Sequence, residues 1–269
     1  FKYQAPNKTS AASWSTAASM NTARAYNFAT AGNKTAALNF GGNEPPGAVS
    51  GKTELWNGAS WTEVNDLNDT RGGNAGCGTT TSALSTGGSS PGATANTETW
   101  NGTSWTEVND LNTARRYPGG TGADYTSVIA FGGNTSPGPS NNSALTETWN
   151  GTSWTEVADL NAGRNQMGST SQDGDNTSAL GFGGETAASP PAPRTTNAEL
   201  WNGTSWAEQN NLSQARNYVM GGGTAASAFA AGGYTGTAHV NTNDIWIEAG
   251  QPIGAWSTNN SLNTGRRGV

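Results

Sequence analysis

The chain holds one cysteine and one histidine in 269 residues, and each scarcity closes a route. With Cys77 alone no internal disulfide forms, and the redox compartment stays open, since a cysteine-poor chain fits the cytosol, a virion or a secreted body. With His239 alone a histidine-based metal cluster within one chain is excluded, and any Ser-His-Asp or Cys-His pair would have to use that residue. Charge is scarce as well. Only 12% of residues are charged, thirteen Lys and Arg stand singly, and the net charge is −6, so no basic stripe exists to neutralise a run of phosphates and nucleic acid is not an expected partner. No apolar run approaches eighteen residues, and the first thirty residues lack a charged, apolar, small-residue succession, so neither a membrane span nor a signal peptide is expected. Phe1 in place of Met is read as a trimmed or missing start.

What the chain does have is tryptophan at a steady beat. Trp14, Trp61, Trp105, Trp154, Trp206 and Trp256 lie 47, 44, 49, 52 and 50 residues apart, and a second series, Trp56, Trp100, Trp149, Trp201 and Trp246, precedes the last five. A period near fifty marks one small module repeated end to end, hence one body. The Gly/Thr/Asn/Ser/Ala-rich remainder would suit disorder, but each indole is able to bury about 150–250 Å², enough to found an aromatic and small-residue core.

One unit reads Thr97-Glu98-Thr99-Trp100-Asn101-Gly102-Thr103-Ser104-Trp105-Thr106-Glu107-Val108. Asn-Gly between two β-prone runs predicts a hairpin with a two-residue type I′ turn, in which Trp100 faces Thr103, Glu98 faces Trp105, and the two indoles are diagonal neighbours on one face. Asn57-Gly58, Asn150-Gly151 and Asn202-Gly203 predict the same. Upstream, short apolar runs end in paired glycines, as in Val128-Ile129-Ala130-Phe131-Gly132-Gly133, which predicts a buried strand running into a tight turn. Further upstream stands an Arg, at 24, 71, 115, 164 and 216, followed by small residues suited to an innermost strand where sheets converge. Each unit therefore holds four strands, a to d from the axis outward.

Four-stranded units of about fifty residues, with a double glycine after strand b and Trp in strands c and d, resemble the kelch repeats of β-propellers. The resemblance covers the chain from about Trp14 to Arg267; Thr86 departs from it in place of an aromatic, and the hairpin from Trp246 to Trp256 has a longer loop without Asn-Gly. It implies an all-β propeller of four-stranded antiparallel blades. Five complete repeats start near 24, 71, 115, 164 and 216 and run through residues 24–257; residues 1–23 form an N-terminal segment with an outer strand near Trp14, and residues 258–269 a C-terminal tail. Five blades are favoured; a ring of six would need strands from missing residues or a neighbouring chain. Trp56, Trp61, Trp100, Trp105, Trp149, Trp154, Trp201, Trp206, Trp246 and Trp256 are the expected structural wedges between blades. The wording of the repeats is also similar to virion structural proteins of marine phages, notably cyanophages, of decoration or tail-fibre type.

Glu54, Glu98, Glu147, Glu199 and Asp244 share one position in strand c. An acid repeated in every unit is read as scaffold, paired between blades with the repeated Arg, since a buried charge needs a partner. Asp173-Gly174-Asp175-Asn176 lacks the downstream ligands of a calcium loop and is read as a polar turn. The Asn-Gly-Thr sequons at 101, 150 and 202 follow from the hairpin. The galactose oxidase branch of the propeller fold uses two His at copper, which this chain lacks. No catalytic, cofactor or metal residue is assigned, and the chain is expected not to be an enzyme.

In an up-and-down blade the b–c loops and d–a connectors share one face, and variable loops on a rigid scaffold are where recognition sits. The candidate contact residues are Asn43, Pro45, Pro46, Pro91, Asn134, Pro137, Asn141, Pro191, Arg194 and Tyr234, with the Arg series and Asp66, Asp110 and Asp159 near the same rim as solvated or bridging connectors. The expected role is a structural or adhesive module at a virion or extracellular surface, contacting neighbouring structural proteins or host-surface proteins and glycans, or forming a homo-oligomer. The alternative is a lectin-like carbohydrate binder, with Tyr117 and Tyr234 as its aromatics.

Overall fold

The structure is a computed structural model and describes residues 16–26, 29–135, 141–171, 176–186, 193–247 and 255–259. The regular elements of these residues are all strands. In chain order they are β1 (Thr30–Asn33), β2 (Ala36–Phe40), a small hairpin of β3 (Asn43–Glu44) and β4 (Ala48–Val49), β5 (Thr53–Trp56) and β6 (Trp61–Val64). Next come β7 (Ala75–Thr79), β8 (Ser82–Thr86), β9 (Thr97–Trp100) and β10 (Trp105–Val108), then β11 (Gly119–Asp124), β12 (Ser127–Phe131), β13 (Thr146–Trp149) and β14 (Trp154–Val157). The fourth repeat holds β15 (Arg164–Asn165), β16 (Gly168–Ser169), β17 (Ala179–Phe182), β18 (Glu185–Thr186), β19 (Ala198–Trp201) and β20 (Trp206–Gln209). The fifth holds β21 (Met220–Thr224), β22 (Ser227–Ala231), β23 (Asn243–Ile247) and β24 (Ala255–Asn259).

Five four-stranded antiparallel sheets result, β1-β2-β5-β6, β7-β8-β9-β10, β11-β12-β13-β14, β16-β17-β19-β20 and β21-β22-β23-β24. They form a five-bladed β-propeller. Strands β1, β7, β11, β16 and β21 adjoin in that succession about the axis. Small residues there are a packing requirement: a Cβ built on Gly76 would lie 2.6 Å from the Phe40 ring of the preceding blade.

The tryptophans build the core as two differently employed sets. In strand c, Trp56, Trp100, Trp149, Trp201 and Trp246 are buried, and each Nε1–H donates to a carbonyl in the a–b turn of its own blade: Lys34, Thr80, Tyr125, Asn176 and Ala225. In strand d, Trp105, Trp154 and Trp206 reach back across the blade gap, where their Nε1–H groups donate to Thr53, Thr97 and Thr146 Oγ1 at 3.0, 3.2 and 3.0 Å. Phe40 and Phe131 meet Trp105 and Trp206 with ring centroids 4.7 Å apart. Hydrogen bonding fixes where the ring sits and area burial supplies the driving force. Trp61, at the seam between the first and last blades, is only half-buried. Trp14 and the side chain of Trp256 lie outside the described residues, although the β24 backbone places Trp256 opposite Trp246.

The predicted hairpin register needs correction. Trp100 is opposite Trp105 and Glu98 opposite Glu107, with the same register in blades one, three and four. The indoles are direct partners, with centroids 5.4 Å apart. The turn has four residues, Asn101 to Ser104, because Asn101 does not take the positive φ that a type I′ turn requires; only Gly102 does, at 94°. The Asn101 side chain explains the choice, since its Oδ1 accepts the Thr103 and Ser104 N–H groups, both at 2.9 Å, and substitutes for backbone pairing.

Candidate functional site at the connector face

The connectors carry the charged framework. Arg24, Arg71, Arg115, Arg164 and Arg216 are buried and pair with Glu54, Glu98, Glu147, Glu199 and Asp244 at 3.0, 2.9, 2.9, 2.7 and 3.2 Å. They are therefore bridging and not solvated. Burial pushes each guanidinium below the ordinary arginine value, and the facing carboxylate opposes that shift. The inter-blade link runs through the Arg backbone. The carbonyls of Arg71, Arg115, Arg164 and Arg216 accept the N–H of Gly42, Gly88, Gly133 and Gly184 in the preceding blade, each at 2.9 Å, while the side chains hold strand c of the following blade. Asn68, Asn112 and Asn161 bind the same carboxylates from the connector, and Asp66, Asp110 and Asp159 accept the first N–H of strand c in the blade just left.

One residue beyond each Arg, the connector pairs with the residue that follows the double glycine. The bridges are Ala25 with Asn43, Gly72 with Ser89, Arg116 with Asn134, Asn165 with Glu185, and Asn217 with Tyr234. Loops and connectors thus share one face, as expected. Two residues beyond each Arg stand Tyr26, Gly73, Tyr117, Gln166 and Tyr218, all left-handed, with φ of 53°, 65°, 56°, 53° and 52°. Their backbones link around the axis: Gly73 N donates to Tyr26 O, Tyr117 N to Gly73 O, Gln166 N to Tyr117 O and Tyr218 N to Gln166 O. The Tyr26 and Tyr218 rings, 5.6 Å apart, bring the ends of this series together, and Tyr117 lies 6.4 Å from both.

Backbone repetition frames side chains that do not repeat. Beside Tyr26 the first two blades contribute mostly small groups, Ala25, Gly72, Gly73 and Ser89, whereas the last three carry a polar arm. Asn217 Nδ2 donates to Gln166 Oε1 and Glu185 Oε2, both at 2.7 Å. Glu185 lies 3.9 Å from Arg194, whose guanidinium is 5.4 Å from the centroid of the Tyr234 ring, and that ring is 5.1 Å from His239. Arg116 sits 5.7 Å from the Tyr117 centroid.

The loop residues singled out from sequence divide accordingly. Arg194 and Tyr234 join this arm. Pro45, Pro46, Pro91 and Asn141 are exposed further out, Pro45 and Pro46 at the tip of the β3–β4 hairpin. Asn43 is half-buried in its bridge. Asn134 is buried and donates to Asn142 Oδ1, so it secures the loop and does not face a partner. Pro137, Pro191 and Asp173 to Asp175 lie outside the described residues, while Asn176 serves the Trp201 indole. Cys77 is buried on an innermost strand, where burial raises its thiol far above the ordinary range, opposite to what a nucleophile needs. Tyr26, Tyr218, Gln166 and Asn217 went unnoticed in the sequence, although their constant offset from the repeated Arg was there to find them.

No protein-family model matches the chain, and no curated protein matches it by sequence. By fold it is similar to a solved structure titled "Structure of YjhT", with a TM-score of 0.71 and 14% identity over 87% of this chain and 84% of that one.

Proposed function

We propose that this propeller is a non-enzymatic recognition module of a particle or cell surface, with the connector face as its contact surface. The kelch-like and phage-like wording of its repeats supports a virion component that engages host-surface molecules or neighbouring structural proteins. The observation that carries the reading is the contrast at that face, where a five-fold backbone holds Arg116, Gln166, Glu185, Arg194 and Tyr234 on one side, two of them oriented by the buried Asn217, and Tyr26 among small residues on the other. Symmetric positions serve the scaffold; positions that break the symmetry are available for a partner. The test is cosedimentation of the labelled chain with virions or host cells. Arg194→Glu on the face should abolish it and Glu107→Lys on outer strand β10 should leave it intact; equal behaviour of the two variants overturns the assignment of the face.

The lectin-like reading stands second, and a specific observation favours it. Tyr117 and Tyr234 lie on one rim, and Tyr26 and Tyr218 join Tyr117 in an aromatic cluster.

A further inference from the structure

We propose that the tyrosine cluster and the Gln166–Asn217–Glu185 arm form one binding site for a pyranose, an inference that rests on the lectin-like reading. Backbone strain singles these positions out. A bulky side chain at positive φ costs about 1–3 kcal/mol and persists where the surroundings or the function demand it. Among the described residues the only non-glycine positions at positive φ are Tyr26, Tyr117, Gln166 and Tyr218, all in the axial ring. The fifth position shows what the backbone alone prefers, for it is glycine. Gly73 also makes room for its neighbour, since a Cβ there would lie 2.4 Å from Tyr117 Cε1. The tyrosines are therefore kept against the backbone preference; packing accounts for the buried Tyr218, and the half-buried Tyr26 and Tyr117 are the ones left to serve a ligand.

The side-chain chemistry fits the same ligand. Tyr218 is buried and braces the cluster, whereas Tyr26 and Tyr117 are half-buried, which suits them to offer aromatic surface to the C–H face of a sugar. Gln166 and Glu185 are half-buried too, and their orientation is fixed by the two Asn217 hydrogen bonds, which makes them ready partners for hydroxyl groups. Arg194 offsets the Glu185 charge, which suits a polyol better than a strongly charged ligand. An added peptide strand is disfavoured, because the connector and loop backbones already exchange their N–H and C=O groups in the bridges and the axial ring.

The test is saturation-transfer NMR on the full chain with a panel of neutral and acidic methyl hexopyranosides. Transfer to at least one glycoside is expected, with loss in Tyr117→Gly and at least a tenfold weakening in Gln166→Gly. Glycine suits the backbone at both positions, and thermal unfolding reports whether each variant is folded. Asn101→Ala, at the opposite end, should bind as the parent does. No transfer with any glycoside, or transfer that survives both glycine variants, overturns the site. A chain that cosediments with virions or cells while binding no glycoside loses the pyranose site and keeps the surface-recognition reading. Glycoside binding without cosedimentation does the reverse.

Discussion

The two ends of the propeller follow the same backbone rhythm and use it oppositely. At the end made by the a–b and c–d turns, every blade repeats one solution, a strand-c indole donating to its own a–b turn. At the connector end the backbone also repeats, through the five bridges and the left-handed ring, yet the side chains become Tyr, Gly, Tyr, Gln and Tyr in turn. A residue constant across blades is answering a demand of the fold, because every blade makes that demand. A residue that varies over a constant backbone is answering something else.

The strongest way to break this contrast is to remove a rivet that all blades share. Arg115→Met should cost about 3–5 kcal/mol in chemical unfolding, since it strands the buried Glu147, and adding Glu147→Leu should recover most of the loss. A cost below about 1 kcal/mol would contradict the rivet. The wedge role is sharpened by comparing tryptophans in the same strand of different blades. Trp154→Phe should cost about 2–3 kcal/mol through the lost Thr97 hydrogen bond and a small cavity, against less than about 1 kcal/mol for half-buried Trp61→Phe.

A third test concerns the axis beneath both ends. With its thiol pKa raised in the fold, Cys77 contributes stability in full below 9.0, the ordinary thiol value, and that contribution falls as the unfolded thiol ionises above it. The slope from this group should not exceed about 1.4 kcal/mol per pH unit, and Cys77→Ser should remove it from denaturation curves taken across the alkaline range. The smallest effect belongs to the exposed turns. Asn101→Ala should cost about 0.5–1.5 kcal/mol by removing the acceptor for the Thr103 and Ser104 N–H groups, and a thermal melt reads it.

Much of the blade was legible because its signals are local. Alternation in Thr97–Trp100 and Trp105–Val108, the double glycines and the small-residue inner strands each report a conformational need of a few neighbouring residues. The hairpin register was misread because Asn-Gly permits two turn lengths, and the Asn101 side chain selects the longer one. The buried Arg–acid pairing was anticipated, but as a link between blades; each Arg side chain instead holds strand c of its own repeat, and its backbone carbonyl makes the link to the preceding blade, a division of labour that no local signal carries. The site was half legible. Tyr117 and Tyr234 stood out as aromatics near variable loops, whereas Gln166 and Asn217 look like ordinary polar connector residues until the ring closes.

What the amino-acid order determined unaided is the blade: four strands, two indoles and one Arg–acid pair, because periodicity and turn chemistry act within a few tens of residues. What only the tertiary structure decided is the meeting of five connectors around an axis. Tyr26 and Tyr218 are nearly two hundred residues apart along the chain and 5.6 Å apart in space, and that proximity arises from the accumulated rotation of successive blades, which no local segment contains.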